Sequence, residues 1–256
     1  MNRYPSKELG FYDVVKWSFR LHYLSLKYSI ACILLITVAK YASIFITTWV
    51  QNYYLERSVT CVFALAILFF FSAALLATHR AFVDRPKPIG DAINSIWKRV
   101  VPIYTTFLLY VVCSVVIYYL CLYLIIGLDK IIYGHAQSHT MHGTTVIIAF
   151  ALVMVFVGMF FFSYPLAVID EKSLPKAFHD SALLGEKNKL GVLFLFMVAG
   201  SIYLLLKPNT IHEYLLSLYH LEALYDFVVL CVIVPLFINL LLFLIHDSKQ
   251  QIISTD

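Results

Sequence analysis

The stretch "GDAINSIWKRVVPIYTTFLLYVVCSVVIYYLCLYLIIG", residues 90–127, begins as a two-sided helix and runs without a break into a membrane-length apolar segment. Ile89, Ile93, Ile96, Trp97 and Val100 recur at helical spacing, while Asp91, Asn94, Ser95, Lys98 and Arg99 cover the other side. Beyond Val100 no charge appears until Asp129. That run exceeds the roughly 18 residues that cross a hydrocarbon core about 30 Å thick. The junction predicts an elbow, in which a helix lying in the membrane interface turns into a span.

The rest of the chain repeats the theme. Of its 256 residues 61% are hydrophobic and only 13% charged, with a mean hydropathy of +0.83, whereas soluble domains carry about 25% charged residues. Apolar runs at 29–50, 59–79, 100–126, 144–168, 190–206 and 224–245 predict six transmembrane helices in one membrane domain, residues 1–256. A run such as "CVFALAILFFFSAALLA" does not alternate in polarity as a β-barrel strand would, so helices are strongly preferred.

Of the 19 Lys and Arg residues, 15 fall in the N-terminal segment, the second and fourth loops and the tail. Arg57, Lys130 and Lys207 lie in the other loops, and Lys40 lies inside the first run. The positive-inside rule then puts both termini in the cytoplasm. The N-terminus has no short apolar core followed by a small-residue cleavage pattern, so no signal peptide is expected. Cations that flank spans form no nucleic-acid footprint. The five cysteines all fall in apolar runs and read as packing residues.

Amphipathic prefixes precede the odd-numbered runs: "LGFYDVVKWSFRLHYLSLK", "IGDAINSIWKRV" and the weaker "LPKAFHDSALLGEKNK", which Gly185 is expected to stop. Trp17, Arg20, Trp97, Lys98, Arg99 and Phe178 are the interfacial anchors this predicts. "HRAFVDRPKPIGDAI" and "PLAVIDEKSLPKAFH" share an order, from span end through aspartate to proline and a new helix. Together these patterns predict three repeats of elbow plus helical hairpin, over 8–80, 86–168 and 173–248.

On "DAINSIWKRVVP", "PKAFHDSALL" and the turns "FVDRPK" and "VIDEK", the chain resembles the YciC-like group of bacterial six-helix inner-membrane proteins. That group is related in arrangement to the membrane domain attached to some glycerophosphodiester phosphodiesterases. The resemblance implies a helical domain of the bacterial inner membrane with no established catalytic set. The soluble phosphodiesterase domain has no counterpart here, so its activity does not carry over.

Two polar features stand out. His135, His139 and His142, in "YGHAQSHTMHG", have a spacing that could turn three imidazoles to one side for a metal, but flexible or merely polar histidines are the preferred reading. Lys40 lies near the middle of an apolar run, where an ammonium must snorkel or find a partner; Asp226 and Asn239 are candidates for a shared polar centre. No phosphate-cradling loop, HExxH motif or nucleophile–base spacing appears, so no catalytic residues and no cofactor are expected. The expected function is a non-catalytic membrane module organising lipids or protein partners, a homodimer among them. The alternatives are a small-solute or lipid transporter or channel and, behind it, a membrane enzyme or its accessory subunit.

Overall fold

The computed structural model describes residues 4–5, 9–50, 52–83, 87–133, 157–188, 191–192, 195 and 221–255. Among them are eight helices: α1 (Phe11–Arg20), α2 (His22–Trp49), α3 (Tyr53–Phe82), α4 (Ile89–Lys98), α5 (Val100–Tyr133), α6 (Ser163–Ile169), α7 (Leu174–Lys187) and α8 (Leu221–Thr255). Four contain segments long and apolar enough to cross a membrane: His22–Trp49, Tyr53–Phe82, Val100–Tyr123 and Leu224–Gln251.

The expectation of six transmembrane helices in three repeats is overturned: the fold is all-α with four candidate spans among the described residues. Most of the expected fourth and fifth runs lies outside those residues. The described part of the fourth is Val157–Ile169. It is broken by a turn at Phe161 and Phe162, after which α6 starts afresh. Hydropathy does not register this break, because the turn is as apolar as its flanks. The physical reason is Pro165, whose missing N–H is tolerated in the first turn of a new helix but would interrupt a continuous one. The Ser163 hydroxyl adds a 2.7 Å bond to the Phe160 carbonyl at the turn. Of the expected third repeat, the part between α7 and α8 lies almost wholly outside the described residues.

The chain forms two compact units, Met1–Val100 with Leu193–Asp256, and Val101–Val192. In the first, α2 and α3 form a hairpin and α8 packs along α2. Ile33, Ile36 and Leu230 are the buried centre of that seam, wrapped by Ile67, Phe70, Phe71, Phe227 and Val234. The α2–α3 turn is fixed by Asn52, whose side chain accepts from the backbone N–H groups of Tyr54 and Leu55 and so caps α3.

Opposite this hairpin end lies an elbow end. There α1 joins α2 through Leu21 alone and packs on α8, while α4 packs on α3 and joins α5 through Arg99 alone. Part of each amphipathic stripe is spent on the bundle: Val14 and Ser18 of α1, and Ala92 and Ile96 of α4, are buried. Tyr12, Phe19 and Trp97 stay exposed. A strap ahead of α1 ties the same end together. Tyr4 hydrogen-bonds His79 at 3.0 Å, stacks on His246 at 4.5 Å and meets Phe82 and Phe243 edge-on. Further along, the Leu9 N–H donates to Asp247 at 2.6 Å.

In the second unit α5 meets the segment that carries α6. Phe107 meets Tyr164 edge-on at 5.5 Å, and the Tyr110 hydroxyl donates to the Val157 carbonyl. α7 does not stop at Gly185 but continues to Lys187. The glycine serves close approach instead: a Cβ there would stand 2.8 Å from the Gly158 carbonyl oxygen and 2.9 Å from Met159 backbone atoms. With the buried Ala177 and Ser181 it forms a small-residue stripe at four-residue spacing. The turn between α6 and α7 carries Glu171 at φ 57°, a left-handed conformation that usually favours glycine or asparagine.

Candidate functional site

α8 presents two polar side chains to α2, and both are fully buried. Asp226 lies toward the hairpin end. Its Oδ2 pairs with the Lys40 ammonium and accepts a 2.7 Å hydrogen bond from the Tyr41 hydroxyl. Its Oδ1 is buried with no hydrogen-bond partner. The Lys40 side chain retains 30% exposure, and its Nζ stands 5.5 Å from the Tyr41 ring centroid, within cation–π range.

Asn239 lies toward the elbow end. Its amide oxygen accepts from the Ser25 hydroxyl, and its Nδ2 donates to the Ser18 carbonyl at 2.9 Å. One side chain therefore bridges α1, α2 and α8 across the Leu21 elbow. The carbonyl it satisfies is in the last turn of α1, where the helix's own N–H ladder runs out.

Lys40 and Asp226 thus come together, while Asn239 stands about 20 Å away along α8. The two contacts also set the antiparallel register, Ser25 against Asn239 and Lys40 against Asp226. Asp226 immediately precedes the uncharged run 227–245 of α8. Lys40, central in the apolar run of its own helix, is therefore abreast of the edge of the neighbouring one. Single-helix hydropathy overstates its depth.

Of the expected anchors, Trp17 lies 4.9 Å under the Arg20 guanidinium and near Phe243. Trp97 is 68% exposed and rests its edge on Phe69. Lys98 is exposed and Arg99 half-buried in the elbow. Phe178 packs on Phe160 within the second unit. His135, His139 and His142 lie outside the described residues. Among the described residues, no group of three or more His, Cys, Asp or Glu side chains could hold a metal ion.

Sequence reasoning passed over Tyr41 and Tyr4, and also Ser25 and Ser18. Tyr41 had a signal in its adjacency to Lys40; Tyr4 had none, since its partners lie about 75 and 240 positions away. A second ion pair lies outside the spans, in the α6–α7 turn. Lys172 reaches Asp180 at 2.5 Å and Asp170 at 3.4 Å. Burial pulls the Lys172 pKa down, but hydrogen bonding to Asp180 and the two carboxylate charges outweigh it, and the net shift is upward. Burial likewise pushes Asp180 up, and its bonds to Lys172 and His179 bring the net shift below the usual carboxylate range.

No protein-family model, curated protein or solved structure matches this chain.

Proposed function

We propose that this protein is a non-catalytic, multi-pass module of the bacterial inner membrane that organises lipids, with its elbow end at the cytoplasmic face. The observation that carries this reading is the apolar flank its long helices leave uncovered. On α5, Val101, Leu108, Val112, Val116 and Leu120 are exposed, and only 11% of its span is buried; on α2, Leu34, Val38 and Phe45 are exposed. A soluble protein does not leave so much apolar surface of either helix in water.

The sorting of charge supports the orientation. Among the described residues of the first unit, Lys16, Arg20, Lys27, Arg80, Lys87, Lys98, Arg99 and Lys249 belong to the elbow end, and Arg57 and Lys40 to the hairpin end. The exposed Trp97 and the Arg20–Trp17 pair suit the headgroup level at that same end.

The test is twofold. Reporter tags near residue 54 should emerge on the side opposite tags at the chain ends, and protein extracted in native-lipid particles should carry a reproducible lipid set. Tags on one common side, or a lipid set matching the bulk membrane, would count against the proposal. A small-solute transporter is the second reading, favoured by an ion pair at a seam between two candidate spans. It predicts solute flux in proteoliposomes that Lys40→Met abolishes.

A further inference from the structure

We propose that the Lys40 ammonium is a binding site for a phosphate oxygen, supplied by the headgroup of a membrane phospholipid in the leaflet at the hairpin end. The inference rests on the membrane reading above and adds to it a ligand and a residue.

An ammonium has three N–H donors. Lys40 directs one at Asp226 Oδ2 and holds its charge near the Tyr41 ring, and it has no other described partner. Two donors are therefore unspent on a side chain still 30% exposed. In an apolar medium unspent donors on a cation are costly, so an acceptor reaching them from outside is favoured.

The surroundings identify the kind of acceptor. Ile44, one turn beyond Lys40 on the same side of α2, is exposed and apolar. It suits an acyl chain running past the ammonium, and the exposed Trp49, Tyr53 and Tyr54 beyond it suit a headgroup boundary. The register with α8 sets Lys40 at the edge of the neighbouring uncharged run, within reach of a headgroup by snorkelling and local thinning of the bilayer.

Asp226 has a different part. Its free Oδ1 is sealed from the surface, so the ligand cannot reach it. Through Oδ2 it fixes the ammonium, and the Tyr41 hydroxyl fixes the carboxylate in turn. Asp226 and Tyr41 are therefore positioning residues, and Lys40 is the one that touches the ligand.

The experiment is native mass spectrometry of delipidated protein titrated with phosphatidylglycerol, with diacylglycerol of the same chains and with inorganic phosphate. Wild type is compared with Lys40→Arg and with the double variant Lys40→Met/Asp226→Leu, which removes both charges and so avoids stranding one of them. Folding of each is checked by thermal unfolding. Wild type and Lys40→Arg should hold one equivalent of phosphatidylglycerol that the folded double variant holds about tenfold more weakly, the scale of one charge-assisted hydrogen bond. Diacylglycerol should not separate the three proteins, and millimolar inorganic phosphate should not displace the lipid.

A folded double variant that keeps the full phosphatidylglycerol affinity overturns the proposal. So does displacement by inorganic phosphate, which would identify a free solute anion as the ligand. Wild type that retains phosphatidylglycerol and diacylglycerol equally defeats the headgroup site while leaving the lipid-organising reading intact. Wild type that retains no lipid at all defeats both.

Discussion

At the hairpin end α8 meets α2 through a carboxylate and an ammonium; at the elbow end it meets the same helix through an amide and a hydroxyl. Both polar residues of α8 are wholly buried. The neutral contact is closed on itself, with the amide oxygen accepting from Ser25 and the amide nitrogen donating to Ser18. The charged contact is left open at both partners, by a carboxylate oxygen without a donor and an ammonium with spare N–H groups. A closed contact fixes geometry, and an open one retains the capacity to bind.

The largest expected effect comes from breaking the charged contact on one side only. Lys40→Met leaves the buried Asp226 carboxyl without its counter-charge and should cost up to about 3 kcal/mol in thermal or denaturant unfolding. The double variant Lys40→Met/Asp226→Leu should recover most of that loss. A double variant as unstable as the single one would show that the pair is needed for more than mutual neutralisation.

Breaking the neutral contact should cost less. Asn239→Leu strands the Ser18 carbonyl, yet the Ser25 hydroxyl keeps an acceptor in the Leu21 carbonyl at 3.1 Å. The expected loss is about 1–2 kcal/mol. Because Asn239 bridges the elbow, hydrogen exchange should rise in α1 before it rises in α3.

The Lys172–Asp180 pair sharpens the contrast, as the same chemistry placed outside the spans. It should contribute at most about 1 kcal/mol. Asp180 has a lowered pKa, so its contribution is present above the unfolded carboxylate value and is lost as pH falls through the lower folded one. Lys172 has a raised pKa, so its contribution is present below the unfolded lysine value and is lost as pH rises through the higher folded one. Lys172→Met should flatten both flanks of a stability–pH curve; an unchanged acid flank would mean the pair contributes nothing measurable.

The long helices α2, α3, α5 and α8 were legible in the sequence because an apolar run of sufficient length has few alternatives to spanning. The pairing of Lys40 with Asp226 was legible as chemistry, since each needs a partner in an apolar setting, but not as depth. Depth depends on the register of two helices, which neither sequence contains alone. Gly185 was misread because glycine has two uses, and only the backbone facing it distinguishes a helix stop from a close contact. The break at Phe161 and Phe162 was invisible to hydropathy, although Pro165 was its sequence mark.

The strap at Tyr4 and Leu9 bears on the order of biosynthesis. Its docking partners on α8 are about 240 positions downstream, beyond the whole of the second unit. A ribosome delivers α1, α2 and α3 to the bilayer long before the helix that completes their packing, so Lys40 enters lipid without its counter-ion. Until α8 arrives, the first unit exists only as a hairpin with an unfastened leading end, and the time spent in that state is set by how quickly translation proceeds.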